Sequence, residues 1–186
     1  MLNWPIPEKG ASLKDYAKKF LIQIDQSKPV NLLGVSFGGM LCAEISEMIS
    51  VNKVFIISSL KNTSEFPLLL KTLKLFPVYR IIPNQLFCSL AKTKRKFIGF
   101  EKSFEPIFID MLKRMPEKYF SRCIDYIVRW DRKTNKSKLI HIHGTSDKLL
   151  TQKTIKDFYP IKNGTHAMVL SNAAEINAIL NKELNG

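Results

Sequence analysis

The segment Gly34-Val35-Ser36-Phe37-Gly38 decides the fold of this 186-residue chain. An apolar run, Val30 to Leu33, precedes it, and a helix-like pattern begins after it. This order predicts an elbow, in which a strand turns sharply into a helix with Ser36 at the apex. Because the flanking glycines lack a Cβ, the two backbones can pass close together at such a turn.

Length and composition predict one globular domain. Apolar residues make up 45% of the chain, which is enough for a sizeable core. Charges are spread through the first thirty residues, and no apolar run is long enough for a secretory leader or a membrane span. We therefore expect a cytoplasmic protein. The three cysteines lack metal or redox spacing, which favours reduced, mostly buried thiols.

Further strands and helices alternate along the chain. Strands are predicted at Val30 to Val35, Val54 to Ser58, Leu139 to Ile142 and Phe158 to Ile161, and helices at Ser12 to Ile24, Gly38 to Met48, Pro116 to Trp130 and Ala173 to Leu184. This alternation predicts an α/β fold with a mostly parallel sheet flanked by helices. Residues 1–60 and 139–186 would form the core, and residues 61–138 a basic helical cap over the carboxyl ends of the strands.

Two residues downstream of Ser36 suit an acyl-transfer site. A serine hydroxyl needs a neighbouring base to remove its proton, and that base must be held in one tautomer. Asp147 follows the third predicted strand, and His166 lies in a loop after the fourth. Because the carboxyl ends of parallel strands meet at one edge of a sheet, all three side chains would project there. The order serine, aspartate, histidine is typical of one hydrolase arrangement.

On these motifs the chain resembles the α/β-hydrolase superfamily, in particular its capped, esterase-like members. The resemblance implies a serine hydrolase that cleaves a small carboxylic ester or thioester through an acyl-enzyme. Ser36 would be the nucleophile, His166 the general base and acid, and Asp147 its orienting partner. The backbone N–H of Phe37 would bind the oxyanion, and no cofactor would be needed. The alternative is a non-catalytic protein of the same fold that serves as a binding or interaction module.

His141 and His143 form a His-x-His pair in the third predicted strand. Such a pair points both rings to one face and could bind a metal ion. The sequence places no third ligand beside them, so packed or hydrogen-bonded histidines are the favoured interpretation. They are also poor candidates for the base, because they precede Asp147 on the strand.

The family's second oxyanion donor has no counterpart in the sequence. It usually comes from a Gly-rich loop after an earlier strand, but only Gly10 precedes the elbow and only Leu2 to Trp4 could be a strand end. The fold is therefore expected to be N-terminally shortened. The elbow strand would then be an exposed edge, which could pair with a second copy in a homo-oligomer.

The net charge of +13 is concentrated in the predicted cap. Residues 61–138 hold 18 Lys and Arg against 7 Asp and Glu, and the densest run is Lys92, Lys94, Arg95 and Lys96. A solvated cap face is the simplest interpretation, and no nucleic-acid-binding motif accompanies the charge. Steering of acidic substrates or attraction to an anionic membrane surface stays open.

Overall fold

The computed structural model describes residues 1–93 and 95–186, without the side chains of Asn84, Gln85, Phe87, Cys88, Ala91, Lys96 and Phe97. Its strands are β1 (Val30–Val35), β2 (Val51–Ile57), β3 (Leu139–Gly144) and β4 (Tyr159–Ile161). Its α-helices are α1 (Leu13–Lys18), α2 (Phe37–Ile45), α3 (Leu68–Leu75), α4 (Asn84–Thr93), α5 (Arg95–Ile98), α6 (Glu105–Arg114), α7 (Tyr119–Arg129), α8 (Met168–Ser171) and α9 (Ala173–Asn185). Lys94, in the predicted charge run, lies outside the described residues.

The four strands form one parallel sheet in the order β1-β2-β3-β4. In its register, Leu33 lies opposite Phe55, and Ile56 lies opposite His141. The predicted α/β class is confirmed, because each strand connects to the next through a helical or irregular crossover. All four carboxyl ends therefore lie at the same edge of the sheet, which is where chemistry is expected in such folds.

The elbow strand β1 is an edge strand of this sheet, as expected. Its inward residues, Leu32 and Gly34, are buried, whereas Leu33 is 52% and Val35 36% exposed. An apolar edge of this kind can pair with another chain. The homo-oligomer stays a prediction.

The N-terminal region differs from the expectation in two ways. The predicted helix over Ser12 to Ile24 ends at Lys18 and continues only as a short 3₁₀ turn over Leu21–Gln23. Its start is as expected, because the Ser12 hydroxyl accepts a hydrogen bond from the backbone N–H of Asp15 in a capping box. Leu2 to Trp4 form no strand. Instead, the Trp4 ring packs edge-on against Phe20.

The connection from β2 to β3 contains the helices α3 to α7, in the segment predicted to be the cap. Helix α7 and the residue after it pack against the core through a stripe at helical spacing: Cys123 and Trp130 are buried, and Tyr119 and Ile127 are partly buried. Tyr126, also buried, contacts the ring of Tyr16 in α1. The division into core and cap domains stays a prediction.

The buried carboxylate of Glu44, in α2, binds the end of the connection between β2 and β3. Glu44 is 3% exposed and accepts hydrogen bonds from the indole N–H of Trp130 at 2.6 Å and from Arg132 Nε at 2.8 Å. Removal of either donor would leave the buried carboxylate incompletely hydrogen-bonded.

We expect Arg132→Met to lower the free energy of unfolding by about 3 kcal/mol, because Glu44 would stay buried with one donor. Urea unfolding measures this change. Lys133→Met removes an exposed neighbouring charge and should change stability by less than about 0.5 kcal/mol. Equal effects of the two substitutions would show that the ion pair is not required.

Candidate active site

Ser36 occupies a strained turn between β1 and α2. Its φ of 53° and ψ of −120° lie outside the regions that side-chain-bearing residues normally adopt. Two contacts hold it there: its N–H donates to the carbonyl of Ile57 at 2.8 Å, and its own carbonyl accepts from the Ser59 hydroxyl at 2.7 Å. The strain therefore fixes where the hydroxyl points.

Sequence reasoning missed Ser59, which is fully buried at the second position after β2. A Cβ at Gly39 would lie 2.4 Å from its hydroxyl oxygen, so Gly39 leaves the space that Ser59 fills. The available signal was the position of the serine, at the carboxyl end of the strand that neighbours β1. Ser59 is a structural support for the elbow and lies beneath it.

Asp147 and His166 are brought together by two interlocked loops after β3 and β4. The N–H of Thr145 donates to the carbonyl of Ile161 at 3.0 Å, and the N–H of Ser146 donates to the carbonyl of Gly164 at 2.9 Å. This crosslinking sets the distance between the two side chains, which are separated by 19 positions in the sequence.

The side chains of Ser36, His166 and Asp147 form one hydrogen-bonded chain. His166 Nδ1 lies 2.8 Å from Asp147 Oδ2, and His166 Nε2 lies 2.8 Å from Ser36 Oγ. An ionised carboxylate can only accept, so Nδ1 carries the proton and Nε2 is free to accept from the serine hydroxyl. The arrangement can therefore remove the Ser36 proton.

Asp147 is kept ionised although it is 4% exposed. Burial alone would raise the pKa of its carboxyl group. The hydrogen bond from His166, its charge when protonated and the backbone N–H of Leu150 outweigh this effect and hold the pKa below its usual value. Leu149 N–H donates at 2.9 Å to Oδ1 of Asp147, the oxygen that also accepts from Leu150 N–H. A carboxylate held this way can orient the His166 ring.

Phe37 provides the first backbone N–H of α2, and such groups have no acceptor within the helix. It is thus placed next to Ser36 and free to donate to an oxyanion. A second donor cannot be assigned from the sequence. The oxyanion role of Phe37 stays a prediction.

A cleft of about 580 Å³ opens beside the loop that carries His166. Thr165 and Asn163 line it from this loop, and residues 99–102 line it from the connection between β2 and β3. Gly99 adopts a φ of +94° there, and a Cβ on it would overlap the Thr165 hydroxyl. The cleft therefore adjoins the loop that carries His166, but Ser36, Asp147 and His166 are not among the residues that line it.

The His-x-His pair is packed and hydrogen-bonded behind this site. Leu150 O can only accept, so His143 Nε2, at 2.7 Å, carries the proton. His143 Nδ1 then accepts from His141 Nε2 at 3.2 Å, which leaves the buried Nδ1 of His141 without a partner among the described residues. His143 Nε2 is also 3.5 Å from Asp147 Oδ2. The ring of His143 therefore lies beside the carboxylate that contacts His166.

Burial of these rings makes stability depend on pH. It lowers the pKa of His141 from 6.5 to about 2, and it also lowers the pKa of His143. Above pH 6.5 both histidines are neutral in the folded and in the unfolded chain, so their burial does not make stability depend on pH. Below pH 6.5 the two histidines bind protons in the unfolded chain but stay neutral in the folded chain. The free energy of unfolding therefore falls as the pH falls toward 2.

We expect His141→Gln to reduce this acid sensitivity, since a glutamine amide does not titrate and can still donate to His143. The slope of unfolding free energy against pH should decrease by up to about 1.4 kcal/mol per pH unit below the normal histidine pKa. Urea unfolding at a series of pH values measures it. An unchanged slope would contradict the assignment of His141 as a buried neutral ring.

Solved structures provide the comparison with known proteins. A thermophilic esterase superposes with a TM-score of 0.64 at 17% identity, over 96% of this chain and 75% of its own. An esterase from Exiguobacterium antarcticum gives a TM-score of 0.66 at 14% identity, over 99% and 80%. A putative non-heme bromoperoxidase from Mycobacterium tuberculosis H37Rv gives 0.63 at 13%, over 95% and 75%. The chain has the α/β-hydrolase fold.

These α/β-hydrolase structures are longer than the present chain, which spans about three quarters of their length. The four-stranded sheet that starts at the elbow strand fits the shortened version of the fold that the sequence predicted. No protein-family model matches the chain, and no curated protein matches it either. At these identities the likeness concerns the fold, so the chemistry must be argued from the residues.

Proposed function

We propose that this protein is a serine hydrolase that cleaves a small carboxylic ester or thioester. The observation that carries the proposal is the chain of two 2.8 Å contacts from Ser36 through His166 to Asp147. Three side chains, far apart in sequence, meet with the donor and acceptor order that proton removal from a serine requires. A strained nucleophile position supports it further.

The reaction would proceed in two halves. His166 Nε2 takes the proton from Ser36 Oγ while Oγ bonds to the carbonyl carbon of the substrate, and the carbonyl oxygen becomes an oxyanion near Phe37 N–H. The tetrahedral intermediate then expels the alcohol or thiol, which receives the proton from His166. His166 takes a proton from water, which attacks the acyl carbon; the bond from this carbon to Ser36 Oγ then breaks, the acid leaves, and His166 returns the proton to Oγ.

A cleft lined by Thr165, the chain neighbour of His166, supports the binding of a small molecule near this loop. Phe37 N–H is the one oxyanion donor that we propose, and the loss of a second donor typically costs about a hundred- to a thousand-fold in turnover. We therefore propose turnover of activated esters at a modest rate.

A fluorophosphonate probe and a p-nitrophenyl acetate assay test the proposal. We expect covalent labelling of the purified protein and ester turnover above the uncatalysed rate, both lost in Ser36→Ala. A folded wild-type protein that neither reacts with the probe nor hydrolyses the ester would overturn the proposal and favour the non-catalytic binding module.

A further inference from the structure

Helix α3 and the turn that follows it expose apolar side chains to solvent. Leu68 is 75%, Leu75 74%, Phe76 70% and Ile81 82% exposed, and Leu69 and Val78 are about half exposed. Leu70, on the opposite side of α3, packs against the main core. Since residues seven positions apart lie on the same side of a helix, Leu68 and Leu75 form one outward stripe. A surface helix normally turns polar residues outward, so this stripe marks an interaction surface.

The segment that carries the stripe is rich in lysine and arginine. Residues 66–100 contain seven Lys and Arg and not one Asp or Glu. Lys71 and Lys74 are exposed on α3, and neither forms an ion pair with a carboxylate among the residues that the structure describes. Arg80 and Arg95 are neutralised by Asp125 and Glu105, whereas Lys71 and Lys74 border the apolar stripe without such a partner in the described part of the chain.

This combination selects the occupant of the surface. A second copy of the chain would bring a second set of lysines against the first, and like charges in an interface oppose association. An anionic lipid bilayer satisfies both features, because its headgroups attract lysines and its acyl boundary accepts leucine and phenylalanine side chains. Within the described residues, no helix has the length and apolar composition to cross the bilayer.

We propose that α3 and the following turn, residues 68–81, dock the protein on the surface of anionic membranes. Leu68, Leu75 and Phe76 enter the boundary between headgroups and acyl chains, and Lys71 and Lys74 lie among the headgroups. The docking uses no residue of the Ser36 site, so it stands whether or not the proposed hydrolysis takes place.

Sedimentation with vesicles tests the docking. We expect the full chain to bind phosphatidylcholine vesicles that contain about one third phosphatidylglycerol, and to bind pure phosphatidylcholine vesicles at least about tenfold more weakly. High salt should release the bound protein, because headgroup attraction is screened within a Debye length. Equal binding to both kinds of vesicle, or binding to neither, would overturn the proposal.

Matched variants distinguish docking through this surface from nonspecific hydrophobic adsorption to the vesicles. The triple variant Leu68→Ser, Leu75→Ser, Phe76→Ser should lower the partition coefficient about tenfold or more, with an unchanged melting temperature because the three side chains are exposed. The control Ile22→Ser, Leu184→Ser replaces exposed apolar residues elsewhere and should leave binding unchanged. Full binding by the triple variant would contradict the assigned surface.

The charge requirement has its own pair of variants. Lys71→Glu, Lys74→Glu should weaken vesicle binding about tenfold or more, whereas Lys14→Glu, Lys28→Glu makes the same change in net charge at exposed sites outside the surface and should have a much smaller effect. Equal losses would show that net charge alone governs binding and would refute a defined docking surface. Light scattering that detects a dimer, broken by Leu75→Ser, would identify a second copy as the occupant and likewise refute the proposal.

Discussion

Ser36→Ala should abolish ester hydrolysis, with turnover at least about 10⁴-fold below that of the wild type. The substitution removes the hydroxyl that lies 2.8 Å from His166 Nε2, and alanine offers no other nucleophile. Stability should change by less than about 1 kcal/mol, because Ser36 is only partly buried and alanine keeps the Cβ. Steady-state assays with p-nitrophenyl acetate measure the loss of turnover, and fluorophosphonate labelling should disappear with it.

Three further variants make this result specific. His166→Ala should match Ser36→Ala in turnover, because the two residues act as a unit. Asp147→Asn should cost about 10³- to 10⁴-fold, since an amide no longer fixes the tautomer in which Nε2 is free. Ser27→Ala removes an exposed serine before the amino end of β1, whereas Ser36 follows its carboxyl end, and should leave turnover unchanged. Labelling that persists in Ser36→Ala would place the nucleophile elsewhere and refute the proposed function.

Gly34→Ala should destabilise the protein by about 4 kcal/mol or more. A Cβ on Gly34 would lie 2.2 Å from the carbonyl oxygen of Gly38, and this neighbour is backbone that cannot rotate away. The strand and the helix would have to separate, and the packing of α2 on the sheet would be lost. Urea unfolding monitored by circular dichroism measures the change, if the variant folds at all.

Gly38→Ala is the matched control within the same pentapeptide. Its Cβ would meet only the Trp4 ring, at 3.7 Å, which is an ordinary contact distance. Gly38 also lies in α2, where alanine is favoured over glycine by up to about 1 kcal/mol. We therefore expect an unchanged or slightly higher stability. Comparable losses from the two substitutions would show that the close approach at Gly34 does not control the fold of the elbow.

The sequence predicted the elements with strong local patterns. The apolar run before Gly34 gave β1 at its observed bounds, and the capping residue Ser12 marked the observed start of α1. The predicted end of α1 was wrong. Apolar periodicity continues through Leu21 and Ile24, although the backbone has already tightened into a 3₁₀ turn. Helix ends depend on tertiary packing more than on pattern.

The candidate site was predictable in its residue types and order, and less so in its surroundings. Asp147 and His166 could be chosen because both follow strands whose carboxyl ends meet at one edge. The support of Ser36 by Ser59 could not be read, because it joins residues that follow different strands. The place of His143 beside Asp147 could not be read either, because it depends on how the loop after β3 folds back on the strand.

The sequence by itself determined the elbow: local chain geometry requires small residues around a sharp strand-to-helix turn, and Gly34-Val35-Ser36-Phe37-Gly38 supplies them. Only the tertiary structure decided which of these glycines has no room for a Cβ, and that a serine, a histidine and an aspartate meet at 2.8 Å. The physical reason is that distances between loops 19 and 130 positions apart are set by the strand register of the sheet and by the bonds between loops. No local pattern encodes them.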